Sequence, residues 1–179
     1  SMTALLIDGI SLEFMAQSAF GGLNSFTYLA IPMFILAGLV MESGGLSKRI
    51  VAFAGTLVGN VYGGLGIIAV IACAFFAAIS GSSPATVAAI GSMLVPTMIR
   101  KGYDKDFSGA LVASAGTLGV LIPPSIPMIL FAVTAEVSVS KVFMAGFLPG
   151  FLLTFALCVL VHFISRKKGY KTDEGKFHL

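Results

Sequence analysis

The sequence is short of charge and has no tryptophan: 11% of its 179 residues are Asp, Glu, Lys or Arg, against 57% that are hydrophobic. A water-soluble domain carries about 25% charged residues, so an exterior solvated on every side is excluded. The few charges are also segregated. No Asp, Glu, Lys or Arg lies between Arg49 and Arg100, between Asp106 and Glu136, or between Lys141 and Arg166. Intervals of that length suit lipid or a membrane-buried core. Cysteine is equally scarce. Cys73 and Cys158 each sit inside an apolar run with no second cysteine nearby, which reads as small buried hydrophobes rather than a disulfide or metal site. No charged start followed by a short apolar stretch and a small-residue cleavage site marks a secretory signal.

The net charge of +3 does not indicate a nucleic-acid partner, because the basic residues form no groove-sized patch interleaved with aromatics. They sit at the borders of apolar runs instead. Lys48 and Arg49, then Arg100, Lys101 and Lys105, then Arg166, Lys167, Lys168 and Lys171 read as cytoplasmic anchors under the positive-inside rule. Apart from Lys176 in the tail, Lys141 is left for the opposite side. The fifteen phenylalanines read as lipid- or core-facing filler.

Along the chain, residues 1–64 read as a scaffold-like region: a peripheral helix over 2–24, a membrane helix over 26–41 ended by Glu42-Ser43-Gly44-Gly45, and a short helix over 50–61 closed by Gly63-Gly64. Residues 65–79 and 84–99 are each apolar for about fifteen residues, short of the roughly twenty a straight span needs. Between them lies Ser80-Gly81-Ser82-Ser83, which cannot continue a lipid-facing helix without exposing backbone polar groups. A re-entrant helical hairpin over 65–99 satisfies both facts. Residues 107–139 are too long for one straight span and are interrupted by Gly116-Thr117-Leu118-Gly119 and by Pro123-Pro124-Ser125 with Pro127. They predict a broken helix, 107–118 and 126–139. A last span covers 142–165, and 166–179 form a polar cytoplasmic tail. The fold class is therefore an all-α membrane protein, with transmembrane helices, a re-entrant hairpin and a broken helix.

Discontinuous helices expose helix ends and freed carbonyls, which bind ions and substrates. Ser80, Ser82, Ser83 and Thr86 offer hydroxyl oxygens. The break from Gly116 to Ser125 offers backbone carbonyls, including that of Pro123, and the hydroxyls of Thr117 and Ser125. An oxygen shell of this kind suits a hard monovalent cation such as Na⁺, and helix C-terminal dipoles replace the missing carboxylates. The half-helix starting near Pro84 presents N–H groups suited to a substrate carboxylate, with Ser82, Ser83, Ala85, Pro124 and Ser125 in reach. Spacing alone leaves other readings open. The run Ala85, Ala88, Ala89, Gly91, Ser92 is the composition of tight helix packing, Ser80 to Ser83 also fits an ordinary polar turn, and a Pro-Pro kink is commonly structural. Glu136 and Lys141 read as interfacial anchors.

Two motifs carry a resemblance: Phe75-Phe76-Ala77-Ala78-Ile79-Ser80-Gly81-Ser82-Ser83-Pro84-Ala85-Thr86-Val87, and Gly116-Thr117-Leu118-Gly119-Val120-Leu121-Ile122-Pro123-Pro124-Ser125-Ile126-Pro127. With Lys101-Gly102-Tyr103-Asp104 and Leu148-Pro149-Gly150, they closely resemble the large membrane subunit of tripartite ATP-independent periplasmic (TRAP) transporters. The resemblance runs from about Gly22 to Gly169. It implies one of two inverted repeats of an elevator-type carrier of the bacterial inner membrane, with an earlier helix and a second repeat outside this chain. It also implies Na⁺ as coupling ion and no other cofactor. The implied partners are a small membrane subunit, a periplasmic solute-binding protein, and a carboxylate such as a C4-dicarboxylate or sialic acid. The family's first sodium site falls on Ser80, Gly81, Ser82, Ser83 and Thr86 and on the break around Gly116, Thr117 and Pro123. The rival classes are an assembly subunit without its own site and a membrane-embedded serine hydrolase. The hydrolase lacks a base, since His162 and His178 both lie beside or beyond the basic stop.

Overall fold

A computed structural model of the chain describes residues 12–23, 26–58 and 61–170. Every regular element among them is a helix. In chain order these are α1 (Leu12–Leu23), a 3-10 turn (Phe26–Leu29), α2 (Ala30–Ser43), α3 (Leu46–Leu57), α4 (Gly64–Ser80) and α5 (Ser83–Arg100). Then follow α6 (Lys105–Gly116), α7 (Leu118–Leu121), α8 (Ile126–Thr134) and α9 (Val139–Lys168). Two stretches of 30 residues, Lys105–Thr134 and Val139–Lys168, are long and apolar enough to cross a membrane, and the apolar α4 of 17 residues is shorter. The chain is an all-α membrane protein.

The boundaries follow local chemistry. The hairpin turns at Gly81, which holds φ 62 and closes α4 with its N–H on the Ala77 carbonyl. Ser82 then caps α5 by accepting from the Ala85 N–H, with proline in the first turn and Arg100 in the last, the pattern favoured at helix starts and ends. At the other end of α5, the Tyr103 N–H reaches Met98 and the Gly102 N–H reaches Ile99, a Schellman closure around left-handed Gly102.

Four expected boundaries are corrected. The helix expected over 50–61 begins at Leu46 and ends at Leu57, because Gly45 in the left-handed region starts it and its buried stripe is Ser47, Ile50, Val51 and Ala54. Gly63, expected to close that helix, caps the start of α4 instead. The second half of the broken span stops at Thr134 rather than 139, since the Val137 N–H bonds Ala132 and the Glu136 N–H bonds Val133 around Glu136 at φ 54. That is a Schellman closure made without glycine. The last span runs from Val139 to Lys168 rather than over 142–165. Of the range 2–24 expected as a peripheral helix, residues 12–23 form α1; the rest of it, like the tail from 171 onward, lies outside the described residues.

One end of the molecule is tied together. Gly63 at the start of α4 donates to the Tyr170 carbonyl at 3.0 Å, and Asp104 at the start of α6 donates to the Tyr170 hydroxyl at 3.2 Å. The Tyr170 ring stacks on Tyr103 at 4.3 Å, and Lys168 pairs with Asp104. Both feet of the hairpin are thus clasped to the end of α9. From there to the level of the tip is roughly 22 Å along α9, counting Ser165 to Gly150 at 1.5 Å per residue. Another ~17 Å of α9 continues beyond Gly150 to Val139. The hairpin therefore ends short of the full length of α9.

Candidate functional site

The prolines build the first half of the site by withholding hydrogen-bond donors. Pro123, Pro124 and Pro127 have no N–H, so carbonyls one turn earlier lose their usual partners and the helix cannot run on. Ile122 turns extended at φ −85, ψ 122, and the Pro123–Pro124 peptide is cis. One freed carbonyl is recovered: the Ser125 hydroxyl, fully buried, donates to the Val120 carbonyl at 2.7 Å. The break thus holds more acceptors than donors.

The hairpin supplies the second half, and glycines let the two meet backbone to backbone. The Ile126 N–H donates to the Gly81 carbonyl at 3.2 Å. A Cβ on Gly81 would lie 2.8 Å from the Pro124 carbonyl oxygen, and one on Gly119 would lie 2.7 Å from the Ser83 nitrogen and 2.9 Å from the Ser82 oxygen. Neither space admits a methyl. Gly116, a turn earlier, makes room for Val87 of α5, and a Cβ on Gly38 of α2 would meet Ser80 at ordinary van der Waals distance.

Inside the tip is a knot of oxygens. The Ser80 hydroxyl lies 3.3 Å from that of Thr86 and 3.4 Å from the Ser82 carbonyl, and Thr86 donates to that carbonyl at 2.8 Å. Ser80 is 3% exposed and Thr86 0%, so these oxygens are dry. The two Ser80 links are long for O–H···O bonds, which leaves lone pairs under-used. The C-terminal end of α4 adds the negative pole of its dipole at the same point. An arrangement of hydroxyl and carbonyl oxygens without a carboxylate matches a hard, singly charged cation better than a transition metal, and the described residues hold no group of three or more His, Cys, Asp or Glu suited to a metal.

The expected residues fare differently. Ser80, Gly81, Ser82, Ser83 and Thr86 are brought together at the tip, and Gly116 and Pro124 lie against the hairpin through the contacts above, whereas Pro123 enters the break through its cis peptide to Pro124. Thr117 is exposed and its hydroxyl donates to Ser114 within its own helix at 2.7 Å, so it offers backbone rather than side chain. The N–H groups expected to be open at the start of α5 are largely engaged: the Ala85 N–H reaches the Ser82 hydroxyl at 3.4 Å and the Thr86 N–H reaches the Ser82 carbonyl at 3.0 Å. Gly119 covers Ser83. Pro84 is exposed and Ala85 half-buried, while the Ser125 hydroxyl is already committed. The sequence reading missed Gly119 and Gly38 as contact points; the spacing of Gly116 and Gly119, one turn apart, was the available signal. His162 stands in the last turns of α9, edge-on to Phe163, near the clasped end and remote from the tip serines.

A family model described as "Tripartite ATP-independent periplasmic transporter, DctM component" matches residues 1–177. A C4-dicarboxylate TRAP transporter large permease protein of Pseudomonas aeruginosa is 47% identical over 94% of this chain and 39% of its own length. An isethionate TRAP transporter permease protein of Oleidesulfovibrio alaskensis is 46% identical over 96% of this chain and 27% of its own length. A sialic acid TRAP transporter large permease protein of Vibrio cholerae is 38% identical over 94% of this chain and 39% of its own length. The chain thus spans well under half the length of these relatives. With its apolar helices and a match over nearly all its residues, this multi-pass membrane protein belongs to the DctM component family of tripartite ATP-independent periplasmic transporters.

Proposed function

We propose that the chain supplies one ion-binding repeat of a sodium-coupled secondary transporter. The intact parent imports a small organic anion, of the C4-dicarboxylate or sialic-acid type, across the bacterial inner membrane. It works with a small membrane subunit and receives its cargo from a periplasmic solute-binding protein. The relatives' names support the substrate class, and the start of α5, with half-buried Ser82, Ser83 and Ala85 and exposed Pro84, is the part of this chain suited to a carboxylate subsite.

The observation that carries the reading is the meeting of two interrupted elements around dry oxygens: the tip at Gly81 against the break at Pro124, with Ser80, Ser82 and Thr86 inside. Sodium bound there draws the under-used lone pairs together and favours the tip-closed arrangement. Ion and cargo are then coupled as a shift in population driven by differential affinity. Exchange between the two membrane sides proceeds in the elevator manner, with the hairpin and broken span moving together.

The test is sodium-activated uptake by the full-length parent in proteoliposomes. Ser80→Ala and Thr86→Val should raise the sodium concentration for half-maximal uptake, with the folded amount unchanged. Unaltered sodium activation in both variants would remove these oxygens from the ion site.

A further inference from the structure

We propose that the cleft behind the break is a binding site for the acyl chain of an anionic bilayer phospholipid. The cleft encloses about 230 Å³ and is walled by Phe75 and Ala78 of α4, Ile122 of the break, and Phe147, Phe151 and Thr154 of α9. Its one hydroxyl, on Thr154, donates to the Gly150 carbonyl of its own helix at 2.8 Å, so nothing polar is left to orient a solute. The volume is below the roughly 300–1,000 Å³ of sites for drug-sized molecules. A slot of this size and chemistry fits an unbranched hydrocarbon.

What the cleft opens onto follows from α9. A helix that docks on another within a membrane turns its small residues toward the partner. On α9 that pair is already used inside this chain: Gly146 meets Met128 and the Leu121 carbonyl, and Gly150 meets Ile122. The outward face carries Met144, Leu148, Phe151, Leu152 and Phe155, each between 60% and 70% exposed. Bulky, charge-free and without a partner among the described residues, it suits lipid tails. Phe151 belongs both to that face and to the cleft wall, so the cleft is continuous with the lipid-facing surface.

The basic end of α9 selects the lipid. Arg166 and Lys167 are exposed, while Lys168 is paired with Asp104. From Thr154 to Arg166 is roughly 18 Å along the helix, comparable with the ~15 Å that one leaflet contributes to the hydrocarbon core. A phosphate headgroup beside Arg166 therefore places its tail in the cleft, where the chain end rests on Ile122 and Ala78 directly behind the oxygen knot.

These 179 residues contain no tryptophan, so in the full-length parent, cleared of any tryptophan elsewhere, Phe151→Trp installs one fluorophore in the cleft wall. The protein in detergent micelles is titrated with phosphatidylglycerol carrying brominated acyl chains. Quenching should saturate near one lipid per chain, whereas Phe155→Trp, on the same span but outside the cleft, should show only a gradual rise. Ala78→Phe, which fills the cleft, should abolish the saturable phase. Brominated phosphatidylcholine should bind about 5-fold more weakly, the effect of roughly one basic residue at a membrane surface, and Arg166→Gln should erase that difference. Identical gradual curves for the two tryptophan positions, or no quenching at all, would overturn the site. Equal affinity for the two headgroups would overturn the anionic assignment. Should Ala78→Phe not fold, native mass spectrometry of the delipidated full-length parent decides: one retained phospholipid in the wild type, lost in Thr154→Phe, upholds the proposal, and retention in both rejects it.

Discussion

Replacing Gly119 with alanine tests the seam between hairpin and broken span most directly. The added methyl would lie 2.7 Å from the Ser83 nitrogen, 2.8 Å from the Ser82 carbonyl carbon and 2.9 Å from the Ser82 oxygen. All three neighbours are backbone, so no side chain can swing aside. The tip must retreat by roughly 0.5–0.7 Å to reach ordinary contact, and overpacking of this kind costs about 1–3 kcal/mol. Alanine also gains about 1 kcal/mol in helix propensity over glycine, which offsets only the low end of that range. The retreat carries the Ser82 carbonyl out of the oxygen knot, so sodium binding should weaken by about 5- to 150-fold, the equivalent of 1–3 kcal/mol. The assay is the sodium concentration for half-maximal uptake by the full-length parent, normalised to monodisperse protein. Gly109→Ala is the control: it lies in α6, which leads into the α7 of Gly119, and its added methyl meets nothing within 4 Å among the described residues. Sodium activation should be unchanged there. The reasoning fails if Gly119→Ala leaves half-saturation at the wild-type value, or if Gly109→Ala is impaired to the same degree.

Ser125→Ala should lower stability by about 1–3 kcal/mol, because the Val120 carbonyl loses its 2.7 Å donor at a fully buried position; the detergent melting temperature reads this. Ser165→Ala should be neutral or raise the melting temperature slightly, since the Ser165 hydroxyl is buried without a hydrogen-bond partner among the described residues and its removal strands nothing there. The Asp104 carboxyl is held below the usual carboxylate range by its hydrogen bond from Lys168 and then by the Tyr170 hydroxyl. Its contribution is therefore complete above the ordinary Asp value of about 3.9 and is lost as pH falls through the lowered one. The melting-temperature gap between wild type and Asp104→Asn should stay constant from pH 7 to about 5 and close only in stronger acid.

Much of this fold was legible because membrane chemistry leaves few options. The charge-free intervals located the spans, Ser80 to Ser83 located the turn, and the three prolines near residue 125 located the break. The misplaced boundaries share a cause. Glu136 closes α8 in a left-handed conformation that sequence preference assigns to glycine or asparagine, and α3 starts at Leu46 because buried Ser47 and Ile50 belong to its inner stripe even though Lys48 and Arg49 interrupt the apolar run. At the site, residue types foretold oxygens and helix ends but not their allegiance. Whether the Ser125 hydroxyl serves a ligand or Val120, and whether Thr117 faces the tip or its own helix, depends on side-chain direction in three dimensions. The intimacy of Gly119 with Ser83 is likewise a contact between segments 36 residues apart in numbering, invisible to any local pattern.

The tie at Tyr170 has a mechanical consequence. With Gly63 and Asp104 pinned to the same residue, the two arms α4 and α5 share a fixed root, and any flexing is a rotation about it. Displacement in such a lever grows with distance from the pivot and is largest at the tip, which carries the break with it through the Ile126–Gly81 hydrogen bond. A small angular play at the root, too slight to disturb the stacked tyrosines, becomes the widest movement available in the hairpin where Ser80, Ser82 and Thr86 are gathered.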